Sequence, residues 1–270
     1  MPEQNPSRSA RETLSVAMVA CNEEANVART LSSVINLADE IIFVDSGSTD
    51  RTLEIASSFG PKVKIFHEPW KGFPRQKNSA IDKATGDWIL LLDADESLTP
   101  ELQAEIAAIL SGQAETPRPA PVAYRIARRN YQFGRWIRHG GHYPDPKRRL
   151  MRKGAGRVED CPVNEELQIP GLVGDLHSDL IHHAHSSIAD YIEHANRYSS
   201  LGAEMKAPRG FSLLNIVLNP FFTFIYNYFF RLGFLDGAEG LLLHLYHSTY
   251  VSLKYAKAWE LTRNSKKLEN

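Results

Sequence analysis

The sequence predicts an α/β protein with a parallel, doubly wound sheet and a C-terminal amphipathic helical region. Two observations support this fold class. Between residues 14 and 100, short apolar runs alternate four times with segments of helical periodicity, which is typical of a parallel sheet covered by helices on both faces. Towards the C-terminus, aromatic and aliphatic residues become frequent but stay interrupted by polar ones. The chain therefore divides into a sheet-forming part and a helical tail.

The first two strand and helix pairs follow a disordered lead-in over residues 1–13. The apolar run 14–20 predicts a buried strand, and Asn22 after it is a residue type that caps helices. The run 40–45 predicts a second buried strand, which ends on an acid. Asp50 follows in a Ser- and Gly-containing turn, where it is suited to capping the next helix.

The third and fourth pairs complete the alternation. Residues 63–67 predict a short strand, and residues 75–84 predict a helix. The run from Trp88 predicts a strand buried on both faces. Thr99 and the proline after it open one more helix with a single apolar face.

Beyond a proline-rich loop at 111–121 the pattern changes. Alternating apolar and polar residues predict half-exposed strands at 122–127 and 148–152. The aromatic, cationic and glycine-rich segment 133–144 between them is typical of a loop that binds a ligand.

Three acids, Asp93, Asp95 and Glu96, end the fourth strand. Because burying unpaired carboxylates is costly, we expect them just beyond the strand's carboxyl end, where such sheets bind ligands. On an extended chain, side chains at i and i+2 point to the same side, so Asp93 and Asp95 are predicted to converge on one cation. Oxygen ligands favour Mg²⁺ or Mn²⁺. A solvated acidic turn is the alternative.

Composition and missing motifs exclude several classes of protein. The 31 basic and 32 acidic residues nearly cancel, which argues against a nucleic-acid-binding protein held by bulk charge. The two cysteines, Cys21 and Cys161, lack the spacing of a zinc site and are expected to be small buried side chains. No glycine-rich dinucleotide or P-loop signature follows the first strand. The polar N-terminus has no apolar signal segment, so we expect a cytoplasmic catalytic part.

The composition of the C-terminal residues is typical of segments that bind at a membrane surface. Residues 211–230 are strongly aromatic but contain Pro220 and several asparagines, and the apolar run 241–253 is too short to span a bilayer. Lysine and arginine side chains follow that run. Amphipathic helices of this composition are typical of binding in the plane of an anionic leaflet. The alternative is a helical hairpin packed on the sheet or on a second copy of the chain.

The acids at the ends of the predicted strands belong to motifs that resemble those of a known protein family. Cys21-Asn22-Glu23-Glu24, the stretch Val44–Asp50 and Leu92-Asp93-Ala94-Asp95, in this order, resemble the family-2 glycosyltransferases of the GT-A fold over residues 14–100. More loosely, four further stretches are similar to the lipopolysaccharide core β-1,4-glucosyltransferases: Gln76–Asn78, Arg149–Lys153, Val163–Glu165 and Gly233–Gly237.

The resemblance implies a GT-A-type, Rossmann-like sheet that binds a nucleotide-sugar. It implies a glycosyltransferase domain over 14–205, with a donor-binding half at 14–100 and an acceptor and catalytic half at 122–185. From their composition, residues 206–270 are predicted to form amphipathic, membrane-associating helices.

The implied activity is a metal-dependent, inverting transfer of a hexose from a nucleotide-diphospho-sugar, a UDP-sugar by the family pattern. The acceptor would be a lipid-linked or lipopolysaccharide-core glycan of the bacterial envelope, reached from the cytoplasmic side of the inner membrane. The sugar, the acceptor and the oligomeric state stay open.

The resemblance also implies roles for five residues. Glu23 would lie near the ribose or the base, and Asp45 would accept a hydrogen bond from the imino N–H of the base. Lys77 would lie near the donor phosphates or ribose, although a helix-surface lysine is ordinarily only solvated. Asp93 would contact the ribose, or the metal through water, and Asp95 would bind Mn²⁺ or Mg²⁺ directly. The ion would neutralise the departing diphosphate.

An inverting transfer also needs a general base to take the acceptor's proton. Related envelope enzymes carry Val-His-Glu where this chain has Val163-Asn164-Glu165, so Glu165 is the predicted base. The alternative is a strand-end carboxylate in a salt bridge with Arg148 or Arg149, in which case Glu159 or Asp160 would be next.

Three histidines, His182, His183 and His185, lie in a predicted strand at spacings that prevent all three from facing one ion. Other functions stay open as alternatives. A sugar-1-phosphate nucleotidyltransferase would need a glycine-rich basic loop after the first strand, and an aspartyl phosphatase would carry its acid pair there. A non-catalytic membrane-docking module is the third alternative.

Overall fold

The computed structural model describes residues 11–114, 119–160, 166–207 and 212–268. The strands, in chain order, are β1 (Leu14–Ala20), β2 (Glu40–Asp45), β3 (Val63–His67), β4 (Trp88–Asp93), β5 (Glu96–Leu98), β6 (Ala123–Ile126), β7 (Arg128–Gln132), β8 (Arg135–Trp136), β9 (Lys147–Arg152), β10 (Arg157–Val158), β11 (Leu167–Gln168), β12 (Val173–Asp175) and β13 (Leu180–His185). The helices are α1 (Val27–Val34), α2 (Thr52–Ser58), α3 (Phe73–Lys83), α4 (Pro100–Leu110), α5 (Ile188–Lys206), α6 (Asn215–Ile225) and α7 (Gly237–Leu268).

These elements form two compact units. Of the described residues, those up to Ala127, from Pro146 to 160 and from 166 to Ile181 make up the sheet unit, and the others make up the helical unit. The division at residue 205 that the sequence predicts stays a prediction.

The sheet unit contains one seven-stranded sheet in the order β12-β6-β9-β4-β1-β2-β3. The four strands β4, β1, β2 and β3 are parallel neighbours, as the alternation of strands and helices predicts. Strand β9 is antiparallel to both β4 and β6. The α/β fold is therefore confirmed, with one antiparallel strand inside a mostly parallel sheet.

Helices cover both faces of this sheet. Phe43 and Leu92 belong to a core that includes residues of α1 and α4, whereas Ile42 and Leu91 belong to a second core that includes Ala80 of α3. Because side chains alternate between the two faces of a strand, continuous apolar runs are what a sheet buried on both faces requires. This arrangement leaves the strand ends as the place for polar chemistry.

Two local expectations are wrong. Asn22 does not cap a helix, because α1 begins five residues later at Val27; instead Asn22 adopts a left-handed conformation with φ of 58° and accepts a hydrogen bond from the backbone N–H of Thr49 at 2.8 Å. Cys21 is exposed rather than buried. Cys161 lies outside the described residues.

The helical unit packs α5 and α6 against α7. Its small apolar core contains Ile137, Tyr191 and Leu243. A 3-10 turn at Gly233–Asp236 precedes α7. There the buried carboxylate of Asp236 accepts hydrogen bonds from the backbone N–H groups of Arg138 and His139, at 3.2 and 2.8 Å, so it fixes the loop after β8.

The outer side of this unit is strongly apolar. No residue of α6 is buried, and Phe222 and, in the π-helical turn after α6, Phe230 are 60% and 75% exposed. Within the described part of the chain, every helix is too short or too polar to cross a bilayer.

Candidate active site

Acidic residues meet at the carboxyl edge of the sheet. The register of the parallel strands sets Asp45 of β2 opposite Ala20, and Asp93 of β4 opposite Val19. The two acids thus lie on either side of the end of β1, about 10 Å apart by two strand spacings. The acids that end β2 and β4 therefore share one edge of the sheet.

Asp93 is held by two cations from different parts of the chain. Lys77 Nζ of α3 lies 2.9 Å from Asp93 Oδ1. Arg149 Nη2 of β9 donates to Asp93 Oδ2 at 2.6 Å and to Glu96 Oε1 at 2.5 Å. We call these four residues the Asp93 cluster. Both oxygens of Asp93 are engaged, so its carboxylate has a fixed orientation.

The local sequence explains how each cation arrives. Helix α3 begins at Phe73 and packs Ala80 and Ile81 against the sheet, and Lys77 lies one helical turn earlier on that inner face. Strand β9 runs antiparallel to β4 with Leu150 opposite Leu90, which brings the arginine beside the end of β4. Lys77 is buried, so it is not an ordinary solvated helix lysine.

Burial gives the Asp93 cluster strong electrostatics. Glu96 is fully buried, and the side chain of Arg149 is 7% exposed. Burial opposes the ionisation of Asp93, but the charges of Arg149 and Lys77 outweigh it and hold the pKa of that carboxyl well below its usual range. A buried carboxylate without such partners would instead take up a proton.

Sequence reasoning placed Glu96 at the strand end without a specific role and named Arg149 only as an alternative salt-bridge partner of Glu165. Glu96 also accepts a hydrogen bond from the backbone N–H of Asp93 at 3.1 Å, which closes the turn that carries Asp95. The acid run and the arginine-rich stretch were visible in the sequence. Their pairing across 53 positions was not.

Asp95 lies in that turn and is half-buried. The premise that the chain stays extended from Asp93 to Asp95 is therefore wrong, because the strand ends at Asp93 and the chain turns. Among the described residues, no three acid, histidine or cysteine side chains are arranged to hold a metal ion. The carboxylates at this edge suit a Mg²⁺ or Mn²⁺ ion that is bound by one or two of them and whose other ligands are phosphates and water.

Asp45 organises the turn after β2. Its side chain is nearly inaccessible and accepts hydrogen bonds from the backbone N–H groups of Gly47 and Ser48, at 3.0 and 3.2 Å. His67 Nδ1, at the end of β3, lies 3.7 Å from Asp45 Oδ2. The carboxylate is thus fixed at the edge of the sheet with one imidazole beside it.

The loops after β1 and β2 are tied together. Asp50 accepts hydrogen bonds from the backbone N–H groups of Thr52 and Glu24, at 2.9 and 3.1 Å; it orders the turn before α2, whose N-cap residue is Arg51. The backbone N–H of Glu23 donates to Thr52 Oγ1 at 2.7 Å, and the Glu23 carboxylate accepts from Asn26 at 2.9 Å. Glu23 therefore lies on a braced loop.

Glu165, the predicted general base, lies outside the described residues. The two next acids are described and are exposed. Glu159 accepts a hydrogen bond from Gln168 at 3.0 Å, and Asp160 pairs with Arg75 at 3.1 Å.

The three histidines lie in β13, as predicted, and contact different groups. His182 Nδ1 lies 2.6 Å from Asn130 Oδ1, His183 stacks on Tyr131, and His185 Nδ1 lies 3.3 Å from Asp190. Each of these rings thus has its own partner.

Comparison with known proteins agrees with this geometry. Residues 15–163 match the model of the family described as glycosyl transferase family 2. The chain is 30% identical to the lipopolysaccharide core biosynthesis glycosyltransferase LpsC of Rhizobium meliloti, over 92% of each protein. It is 31% identical to an uncharacterized glycosyltransferase of Rickettsia felis, over 94% of this chain and 92% of the relative.

Among solved structures, the fold is similar to the mannosyltransferase PcManGT from Pyrobaculum calidifontis, which was solved with GDP-Man and Mn²⁺. The TM-score is 0.53 at 14% identity, covering 94% of this chain and 89% of that one. This likeness extends to the fold and agrees with a GT-A architecture.

Proposed function

The chain belongs to glycosyl transferase family 2, and from this premise we propose that it is a metal-dependent, inverting hexosyltransferase. Its donor would be a nucleotide-diphospho-sugar, with UDP as the nucleotide. Its acceptor would be a lipid-linked or lipopolysaccharide-core glycan. The observation that carries the proposal is the Asp93 cluster with Asp95 beside it, at the carboxyl edge of the sheet.

The cluster suits a diphosphate. Lys77 and Arg149 place an ammonium and a guanidinium at the end of β4, next to Asp95, where Asp93 and Glu96 balance their charges. A guanidinium and an ammonium are the groups that proteins use to bind phosphate oxygens. In the proposal Asp95 holds Mn²⁺ or Mg²⁺ and Asp93 contacts the ribose, or the ion through water. The ion would supply positive charge against the departing diphosphate.

The other residues keep the roles that the resemblance implies. Asp45 would accept the imino N–H of the base, a group that uracil offers; the fixed position of its carboxylate at the edge of the sheet supports this. Glu23 would lie near the ribose or base. Glu165 would take the proton of the acceptor hydroxyl as it attacks the anomeric carbon.

The helical unit supports a peripheral membrane location on the cytoplasmic side of the inner membrane. Several aromatic residues of α6 and the turn after it are exposed, and α7 carries exposed Trp259 and Leu261 with Arg263 nearby. Aromatic side chains with neighbouring cations favour the interface of an anionic bilayer. The lipopolysaccharide function in the name of LpsC agrees with an acceptor anchored there.

Calorimetric titration of UDP, GDP and dTDP, each with Mn²⁺ and with EDTA, tests the donor half. We expect UDP to bind only with Mn²⁺, and Asp95→Ala to abolish this binding. Asp175→Ala is the matched control, because Asp175 lies on the edge strand β12 and pairs with Arg125. Preference for GDP or dTDP would change the donor. Absence of any nucleotide binding would overturn the proposal and favour the docking module.

Glu165→Gln tests the catalytic half. The variant should bind UDP like the wild type but lose transfer by about a hundredfold or more, since general base catalysis contributes on that order. Retention of most of the rate would remove Glu165 from this role and turn attention to Glu159 and Asp160.

Sedimentation with vesicles tests the membrane location. Wild-type protein should sediment with phosphatidylglycerol vesicles, and Phe222→Asp with Phe230→Asp should release it. Equal sedimentation of both proteins would contradict the assignment.

A further inference from the structure

Trp70 is held out into solvent at the carboxyl edge of the sheet. It lies in the loop between β3 and α3 and is 51% exposed, whereas Trp88 of β4 is 2% exposed. An exposed indole does not gain the large favourable free energy that burial would give it. The Trp70 loop, residues 68–72, therefore has a feature that packing alone does not explain.

The Trp70 loop is braced rather than loose. The carboxylate of Glu68 pairs with Lys71 at 2.8 Å and with Lys83 of α3 at 2.6 Å, and it accepts a hydrogen bond from Ser79 at 2.9 Å. The lysine hydrogen bonds lower the pKa of Glu68 to about 2, so this brace is charged at neutral pH. Glu68 thereby fixes the start of the loop to α3 and to Lys71 near the end of the loop.

The indole itself has one aromatic neighbour. Phe73, at the start of α3, meets Trp70 edge to face with ring centroids 4.7 Å apart. Gly72 between them has φ of 91°, a conformation that suits glycine. The glycine turn and the ring of Phe73 together set the direction of the indole and leave half of its surface accessible.

The neighbours of the loop belong to the proposed donor site. His67, the last residue of β3, lies 3.7 Å from the Asp45 carboxylate. Helix α3, which follows the loop, carries Lys77 of the Asp93 cluster. The exposed indole thus lies on the chain segment that joins the strand beside Asp45 to the helix that reaches the proposed phosphate site.

We propose that Trp70 is a stacking platform for a pyranose ring. The C–H face of a sugar ring is apolar and weakly positive, and it fits the electron-rich face of an indole. Polar side chains beside the platform, including Lys71 and His67, would meet the hydroxyl groups at the rim of the sugar. A rigid, half-exposed aromatic ring beside a few polar groups is the arrangement that small-molecule sites favour.

Either substrate could supply the ring, because the donor and the acceptor of the proposed reaction are both sugars. The inference rests on the proposed function, and it adds a sugar subsite that the strand-end acids do not provide. The two sources differ in which substrate loses affinity when the indole is removed.

The test compares wild type with Trp70→Ala, Trp70→Phe and a control, Leu172→Ala. Leu172 is also in the sheet unit and is 47% exposed, so the control removes a similarly accessible apolar side chain elsewhere. The titrants are UDP, UDP-glucose and UDP-galactose with Mn²⁺. A core oligosaccharide lacking its terminal hexose serves as the acceptor in a transfer assay.

If the ring is the donor's, Trp70→Ala should weaken the binding of a UDP-hexose by about tenfold and leave UDP within about twofold. If it is the acceptor's, KM for the oligosaccharide should rise by about the same factor. Trp70→Phe should recover part of either loss, and Leu172→Ala should change neither.

Equal binding and KM in all four proteins would overturn the platform. So would an equal loss for UDP and UDP-hexose, since the contact would then be to the nucleotide. If wild type itself binds no nucleotide, the proposed function and the platform fail together; if wild type binds and the variants match it, only the platform fails.

Discussion

The two units differ in how some of their buried polar groups are accommodated. In the sheet unit, buried charges are paired: Glu96 with Arg149, and Glu40 with Lys64 at 2.6 Å. In the helical unit, buried imidazoles are kept neutral. His244 is 1% exposed, and neither of its ring nitrogens has a hydrogen-bond partner among the described residues. Its ring lies 5.6 Å from that of His142.

The difference teaches what each unit depends on. A buried ion pair is stable only as a complete set, because removing one member leaves an uncompensated charge. A complete set of ion pairs fixes the positions of its side chains, as a phosphate-binding site requires. Neutral buried imidazoles instead depend on tight packing and on the absence of a proton. Substitutions that remove a charge should therefore lower the stability of the sheet unit most. Substitutions that add bulk, and a lower pH, should lower the stability of the helical unit most.

The largest effect is expected for Arg149→Met. It removes the arginine from both Asp93 and Glu96 and leaves Lys77 beside Asp93, and breaking a buried pair costs about 3–5 kcal/mol. Urea denaturation followed by circular dichroism measures the loss. Adding Glu96→Gln to Arg149→Met should recover part of it, because one unpaired charge is removed. A loss below about 1 kcal/mol would mean that water replaces the arginine.

Gly233→Ala tests the packing half of the comparison. A Cβ there would lie 2.3 Å from His244 Nε2 and 2.9 Å from the carbonyl oxygen of Asn227, so we expect a loss of about 1–3 kcal/mol from overpacking. Gly202→Ala is the matched control, since the nearest atoms to its Cβ, at 3.0 and 3.3 Å, belong to the flexible Lys254 side chain. Equal stability of the two variants in urea would contradict tight packing around His244.

Lowering the pH should destabilise the helical unit before the sheet unit. Burial lowers the pKa of His142 and His244 to about 4. The neutral rings therefore make their full contribution to the free energy of unfolding above pH 6.5. As pH falls towards 4, up to about 3 kcal/mol of that free energy is lost for each ring. Glu40 differs: burial raises its pKa, but hydrogen bonds from Lys64, Ser15 and Thr85 lower it to about 2. Its contribution is lost only between pH 4.5 and 2.

Hydrogen exchange measured by mass spectrometry between pH 7 and 3 checks this order, with the intrinsic pH dependence of exchange subtracted. Peptides around Gly140 and α7 should lose protection at a higher pH than peptides from β1 and β2. Loss of protection at one common pH would show that these histidines do not govern the acid stability of their unit.

The smallest effect is expected on the outer face of α6. Phe222→Ser should change the free energy of unfolding by less than about 0.5 kcal/mol, because the side chain is already exposed. Leu243→Ala on α7 is the buried counterpart, with Leu243 1% exposed and an expected loss of about 2–5 kcal/mol. Thermal unfolding of both variants measures the contrast. A large loss for Phe222→Ser would mean that its ring is buried against protein.

The parts of the fold that the sequence predicted are those set by local pattern. Apolar runs located the buried strands, and strand-end acids located the edge of the site, because both signals lie within a few adjacent residues. Asn22 shows the limit of such signals. Asparagine suits both a helix cap and a left-handed turn, and only the contact with Thr49 across the neighbouring loop decides between them.

The rest of the site depends on long-range pairing. Glu96 resembles any acid in a turn until Arg149 reaches it, and Lys77 resembles any helix lysine until Asp93 lies beside it. The antiparallel direction of β9, which delivers the arginine, depends on how the chain returns to the sheet. Residue types alone do not encode that return.

The position of β9 also matters for synthesis of the chain. β4 borders β1 on one side and β9 on the other, and β9 leaves the ribosome about 60 residues after β4. At roughly 5–20 residues per second, the apolar strand Trp88–Asp93 has one open edge for several seconds in the nascent chain. Open apolar edges recruit other strands, so this stretch is a predicted aggregation site in the nascent chain.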